Sequence, residues 1–176
     1  PWRKRASRCG VFDFEESPLD PSRHDRSSFD CGVAALNDYL QHYADQHRRR
    51  GIASVFVLTP TKNPARILGY YTLSAAEVDA THLSATEHKK LPRYPVPCFR
   101  LGRLACRSDQ RGQGLGRLLL GCAVDRCLTA RAQVAAYALI VDAKDAQAAA
   151  FYAHHGFMAL AQQPLHLYLP LQHWAG

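Results

Sequence analysis

The chain has 176 residues, a formal net charge of +7 and 47% apolar residues, enough for one ordinary domain with a real core. That composition excludes a disordered chain, and no run of about 18 apolar residues is present to cross a membrane as a helix. The excess of 22 Lys and Arg over 15 Asp and Glu favours a polyanionic partner: nucleic acid, an acidic cofactor or an acidic protein.

The basic start Pro1-Trp2-Arg3-Lys4-Arg5 is followed by no apolar region of a secretory signal. Residues 1–8 are therefore expected to be a basic extension, and the protein cytoplasmic. Val11-Phe12-Asp13-Phe14 is expected to be a first strand, followed by a polar loop. After Phe29-Asp30-Cys31-Gly32, the apolar residues Val33, Leu36, Tyr39, Leu40, Tyr43 and Ala44 trace one face of a helix, for which Asp30 or a neighbour is a candidate cap. The helix is expected to end in His47-Arg48-Arg49-Arg50-Gly51, where cations suit the C-terminal dipole and glycine breaks the turn.

Ile52 to Leu58 reads as a β-branched strand and Ile67 to Leu73 as its hairpin partner. Ser74 to Pro97, with Lys89, Lys90, Arg93 and three prolines, is expected to hold a short helix and a loop. Cys98 to Cys106 reads as a central strand. Leu115, Leu118, Leu119 and Cys122 mark a helix from about Gly114 to Thr129. Tyr137 to Val141 is a strand, Asp145 to His155 an Ala-rich helix stopped by Gly156, and Leu165 to Leu171 a last strand. This alternation predicts an α/β or α+β fold with a mixed sheet, as one domain over residues 1–176.

The six cysteines, Cys9, Cys31, Cys98, Cys106, Cys122 and Cys127, form no CxxC pair and are expected to be reduced thiols. His154 and His155 are adjacent, so on a helix they diverge by about 100°. His42 and His47 are five apart. No metal site is expected.

The chemistry concentrates after Cys106. A strand, then Arg111-Gly112-Gln113-Gly114-Leu115-Gly116, then a helix is a phosphate-binding arrangement: the first amides of the helix lack internal acceptors and carry partial positive charge. Glycine lets a diphosphate approach that backbone. The glycines are each two apart, so the dinucleotide fingerprint GxGxxG is not met, and the GK[ST] of a P-loop is missing.

Arg111, Gly114 and Gly116 instead fill [Q/R]-x-x-G-x-[G/A], and here the chain resembles the GNAT superfamily of N-acetyltransferases. Val141-Asp142-Ala143 followed by Ala149-Ala150-Phe151-Tyr152 and Gly156-Phe157 is similar to the family's second motif. The resemblance implies a mixed sheet of about six to seven strands, acetyl-CoA as acetyl donor, and two strands (here 101–106 and 137–142) that splay to admit the pantetheine arm. It places Leu104, Ala105, Cys106, Arg111, Gly112, Gln113, Gly114, Leu115, Gly116, Arg117 and Phe151 at the coenzyme. Tyr152 is the candidate acid. A phenol of ordinary pKa, about 10, is protonated at neutral pH and can donate to a departing thiolate. Tyr70, Tyr71 and Tyr137 lack such a motif and are read as structural.

A narrower resemblance covers most of the chain. Phe29-Asp30-Cys31-Gly32 with Leu36, Tyr39 and Leu40, Gly69-Tyr70-Tyr71, Arg103-Leu104-Ala105 and Pro164-Leu165-His166-Leu167 are similar to segments of TacT-like toxins of type II toxin–antitoxin systems. Those enzymes acetylate the α-amine of aminoacyl-tRNA and stop translation. The resemblance implies a ribbon-helix-helix antitoxin, a homodimer, and contact with DNA only through the antitoxin. Arg48, Arg49, Arg50, Lys89, Lys90 and Arg93 are candidate tRNA-backbone contacts, and Arg103 is either a substrate contact or a sheet-edge ion pair. The alternatives are a GNAT enzyme acting on a small amine or a protein lysine, and a catalytically silent RNA- or nucleotide-binding module.

Overall fold

The computed structural model describes residues 14–92 and 94–174. Apolar alternation and β-branched residues build a seven-stranded sheet, in the order β1-β2-β3-β4-β5-β7-β6. The strands are β1 (Phe14–Pro18), β2 (Ser54–Pro60), β3 (Gly69–Val78), β4 (Val96–Cys106), β5 (Ala138–Asp142), β6 (Met158–Leu160) and β7 (Gln163–Pro170). β4 and β5 pair in parallel, whereas β1–β2, β2–β3, β5–β7 and β6–β7 are antiparallel. The sheet is therefore mixed, as expected. Each expected strand is present with its ends moved by a few residues. The exception is the first, where Val11, Phe12 and Asp13 lie outside the described residues and the strand continues to Pro18. β6 had no strand signal of its own: three residues are too few to show a period.

The first helical run holds α1 (Ala34–Asp38), a π-helical turn (Tyr39–Tyr43) and α2 (Ala44–Arg49). Its π turn corrects the predicted face. The amide of Ala44 bonds to the carbonyl of Tyr39, five residues back, and that extra residue in the turn rotates the side chains after it about the helix axis. Tyr39, Leu40 and Ala44 are buried, but Tyr43 is 48% exposed. The capping expectation also changes. Val33 occupies the cap position with no side-chain bond, and the Asp30 carboxylate is engaged upstream by the amide of Gly32 and the side chain of Asn37. Gly51, at φ +68°, ends the run as expected.

Further on come α3 (Ala85–His88), α4 (Leu115–Arg131) and α5 (Ala146–His154). Ser84 caps α3 by accepting from the amide of Glu87, and its hydroxyl donates to the Glu87 carboxylate. Asp145 caps α5 by accepting from the amide of Ala148 at 2.8 Å.

The chain divides into two compact units: Pro1–Ser74 with Arg103–Asp125, and Ala75–Gly102 with Arg126–Gly176. In the first, Leu19, Phe29, Leu40, Val55, Val57 and Tyr70 are among the core side chains. The second gathers Val78, Val96, Cys98, Ile140, Leu160 and Tyr168. The three tyrosines read as structural are tied down. Tyr70 donates to the carbonyl of Leu36 at 2.8 Å, Tyr71 to Glu16, and Tyr137 to Glu87 at 2.7 Å. Among the described residues no two cysteines are joined in a disulfide. Burial pushes the thiols of Cys98 and Cys106 up to about 11 and that of Cys127 up to about 12, so these three are protonated at neutral pH and are poor nucleophiles.

Candidate active site

β4 delivers the chain at Cys106 to a tight turn, Ser108–Gln110, and then to Arg111 and α4. Gly112 and Gly114 sit at φ +78° and +76°, a left-handed conformation that costs a side-chain-bearing residue about 1–2 kcal/mol. Nothing lies within 4 Å of the point where a Cβ would be added at either. Packing therefore does not demand glycine here. The backbone conformation does, and the space beside it is open. Along α4 the amide of Leu118 bonds to the carbonyl of Gly114. The amides of Leu115 and Gly116, one turn earlier, have no acceptor within the helix and face out of its N-terminus.

The cationic side chains around the turn differ in placement. Arg111 turns its guanidinium to the carbonyl of Cys31, with Nη2 at 3.0 Å. Arg107 is only 14% exposed and its Nε lies 3.4 Å from the Asp109 carboxylate, while Nε and Nη1 are buried without a hydrogen-bond acceptor. A buried guanidinium left short of acceptors, in the loop that leads to these open amides, fits a multiply charged anion. Arg107 was not singled out in the sequence; its position directly after a strand ending in Cys106 was the available signal.

Other coenzyme candidates fall into two groups. Ala105 and Leu115 are core residues, 5% and 3% exposed, so only their backbone is placed to meet a ligand. Leu104, Cys106 and Gly116 are half-buried; Gln113 and Arg117 are exposed. Gly69 on β3 serves packing. A Cβ there would lie 2.5 Å from the Leu119 side chain and 2.8 Å from the carbonyl oxygen of Ala105. Its absence lets α4 sit down on the sheet.

In the second unit, β5 pairs with β4 from Cys98↔Ala138 to Leu101↔Val141, while β4 itself runs on to Cys106. The ladder thus stops where the family resemblance expects the strands to part. Tyr152, on α5, is 8% exposed. Its ring meets Phe151 edge-on at 5.2 Å and Phe157 at 5.4 Å, contacts that fix its orientation. Phe151 also stacks against His155 at 4.6 Å. Gly156, at φ +92°, closes the helix.

The basic candidates are scattered. Arg48 and Arg49 both pair with Asp45, at 2.8 and 3.1 Å, and Arg50 is exposed at the helix end. Lys89 and Lys90 are exposed after α3, and Arg93 lies outside the described residues. Arg103 lays its guanidinium carbon 3.6 Å from the centroid of the Tyr39 ring, a cation–π contact. Tyr39 stacks in turn on Tyr70 at 6.2 Å. The first unit also has a surface cavity of about 550 Å³ whose lining includes Arg23, His24, Arg26 and His42. Among the described residues no group of His, Cys, Asp and Glu is placed to hold a metal, and no helix is long and apolar enough to cross a membrane.

The acetyltransferase (GNAT) domain family matches residues 55–159, spanning both the glycine turn and Tyr152. The chain is a GNAT acetyltransferase. A tRNA-acetylating toxin of Mycobacterium tuberculosis is 34% identical to the acetyltransferase over 82% of this chain and 85% of its own. Among solved structures, a Tyr-to-Phe variant of KacT superposes with a TM-score of 0.86 at 31% identity, covering 91% of this chain and 96% of that one. AtaT complexed with acetyl-methionyl-tRNA gives 0.85 at 30%, covering 92% and 96%. An AtaT variant bound to acetyl-CoA and the C-terminus of the antitoxin AtaR gives 0.77 at 27%, covering 92% and 95%. The acetyltransferase uses acetyl-CoA as its acetyl donor, and the open amides, left-handed glycines and neighbouring arginines suit the coenzyme's phosphates.

Proposed function

We infer that this acetyltransferase modifies the α-amine of an amino acid esterified to tRNA and is the toxin of a type II toxin–antitoxin pair. The observation that carries the reading is the 34% identity, over 82% of the chain, to a tRNA-acetylating toxin. The 0.85 superposition on AtaT with its acetylated tRNA supports it. Acetyl-CoA supplies an activated acetyl thioester. The amides of Leu115 and Gly116, with Arg107 near them, hold the coenzyme's diphosphate, and the backbone of Leu104 to Cys106 receives the pantetheine arm, to which Phe151 adds a contact. Tyr152 holds the proton that the departing sulfur takes.

No strong base is needed on the acceptor side. An ester draws electrons from the adjacent amine, so its ammonium is more acidic than the ordinary α-amino group of pKa about 7.7–8.0. Much of the amine is neutral at cellular pH. Once acetylated, it has no nucleophilic lone pair to accept a growing peptide. Arg50, Lys89, Lys90 and Arg93, with Arg48 and Arg49, supply the positive surface for the tRNA backbone. Arg103 is better placed to stiffen the site against Tyr39 than to meet RNA. The toxin reading further implies a ribbon-helix-helix antitoxin, DNA contact through that antitoxin alone, a homodimer and a cytoplasmic location. The complex of AtaT with the C-terminus of AtaR supports the antitoxin partnership.

The deciding experiment incubates bulk charged tRNA with the enzyme and isotopically labelled acetyl-CoA, then analyses nuclease digests by mass spectrometry. The expected product is label on the aminoacyl group of aminoacyl-adenosine. Label appearing only on a polyamine or on protein lysine overturns the tRNA reading and leaves the acetyltransferase intact.

A further inference from the structure

The segment Asp30-Cys31-Gly32 lies far from the glycine turn in sequence, yet hydrogen bonds tie the two together. The carbonyl of Asp30 accepts from both the amide and the hydroxyl of Ser108, at 2.9 and 3.1 Å. The carbonyl of Cys31 accepts from Arg111 at 3.0 Å. The segment is itself locked from behind. Asp30 Oδ1 accepts from the amide of Gly32 at 2.8 Å and from Asn37 Nδ2 at 2.7 Å, and Asn37 Oδ1 accepts from the amide of Cys31 at 2.9 Å. These bonds hold the Asp30 carboxyl below the usual carboxylate value, chiefly through the Gly32 amide and then Asn37, with Arg107 and Arg111 adding to the effect.

Gly32 carries a tight constraint of its own. It sits at φ +77°, and a Cβ built on it would lie 2.6 Å from Nη2 of Arg111. Elsewhere in the turn, Gly112 and Gly114 have nothing around them. Gly32 is thus pressed against a side chain of the turn, while Gly112 and Gly114 face open space. Both ends of the stretch 108–111, which leads the chain from β4 into the turn, are pinned to this one segment.

We propose that Asp30-Cys31-Gly32, held by Asn37, is a positioning element for coenzyme binding: it fixes Ser108 and Arg111 so that the open amides at 114–116 are presented in the binding geometry before the coenzyme arrives. None of its residues touches the reacting atoms; each acts through the turn. Preorganisation of this kind raises affinity by removing the cost of ordering the loop on binding. It rests on the turn at 111–116 being the coenzyme's phosphate site, and is independent of which amine is acetylated.

Two variants test it on the full chain. Asn37→Ala cuts Asp30 and Cys31 loose from α1 without touching the turn, and Gly32→Ala pushes a methyl into the Arg111 guanidinium. Each should weaken coenzyme A binding by roughly tenfold in calorimetry, the scale of one hydrogen bond to a charged donor. The KM for acetyl-CoA should rise in parallel, while kcat at saturating acetyl-CoA stays within about twofold. In an Arg111→Gln background, the Gly32→Ala effect should shrink to the part that comes from backbone strain at φ +77°, because the clash is gone. Gly114→Val serves as the control for the site itself. If it leaves coenzyme affinity unchanged, the turn is not the phosphate site and the premise fails. If it abolishes binding while folded Asn37→Ala binds coenzyme A like the parent, the positioning role is wrong. A fall in kcat without a change in KM also overturns it.

Discussion

Tyr152 and Tyr39 are both buried phenols, and their surroundings differ. Tyr152 is clamped between Phe151 and Phe157 on a helix that the family resemblance places at the thioester. Tyr152→Phe keeps those ring contacts, so acetyl transfer should fall by two orders of magnitude or more while coenzyme A binds as before; stopped assays with labelled acetyl-CoA beside calorimetry read both quantities. Tyr39 has a hydroxyl buried without a partner, and burial raises its pKa, the nearby Arg103 opposing. Its ring does the visible work, under Arg103 and against Tyr70. Tyr39→Phe should therefore leave stability unchanged or raise it by about 1 kcal/mol, since an unsatisfied buried polar group is removed. A loss of that size in urea unfolding would show that the hydroxyl has a partner.

At the scale of elements, two short helical features had signals that sequence periodicity handles badly. The π turn at Tyr39–Tyr43 is invisible to a 3.6-residue template, and for that reason Tyr43 was assigned to the buried face. α3 is only four residues, Ala85–His88, too short to hold itself together. Its anchor is Glu87, whose carboxylate accepts from Tyr137 at 2.7 Å and from Tyr168. These bonds bring together residues about 50 and 81 positions apart, a relation no local pattern reveals. Tyr137→Phe removes one of the two and should destabilise the second unit by about 1.5–3 kcal/mol, the range for a hydrogen bond to a charged group. Denaturant midpoints compared with the parent would measure it, and hydrogen exchange in Ser84–Lys90 should rise first.

For the molecule as a whole, pH and salt report different features. Burial, and secondarily Arg23, hold His24 below its ordinary value of 6.5, so the unfolded chain binds that proton more readily than the folded one. Stability is then complete above the unfolded value and falls as pH drops through the window between 6.5 and the lowered folded value. Asp20, Asp25, Asp30 and Asp79 lie below 3.8, Asp25 at about 2, chiefly through hydrogen bonds from neighbouring hydroxyls, amides or side chains. Their contribution is whole above 3.8 and is lost as pH falls from there through the lowered folded values. Urea midpoints should decline between pH 7 and 5 in the parent and decline less in His24→Gln; equal slopes would remove His24 as the cause. The charge of +7 makes the complementary prediction. KM for charged tRNA should rise steeply with salt, whereas turnover of a small amino-acid ester should barely respond. A salt response shared by both acceptors would place the effect on the coenzyme.

Much of this was legible in the residues alone. The Gly-rich turn before an apolar helix, and the end of the Ala-rich helix at Gly156, were legible because backbone conformation and helix ends are local properties, fixed by a handful of neighbours. Strand identity was legible for the same reason, and strand ends were not, because they depend on which partner strand continues. The partners themselves came only from the tertiary structure: Arg111 facing Cys31, Arg103 over Tyr39, and Glu87 between two tyrosines each join segments distant along the chain. Sequence by itself determined the acetyltransferase family and its mixed-sheet fold. Packing decided what holds the pieces in place, since a hydrogen bond between distant segments leaves no periodic trace in either.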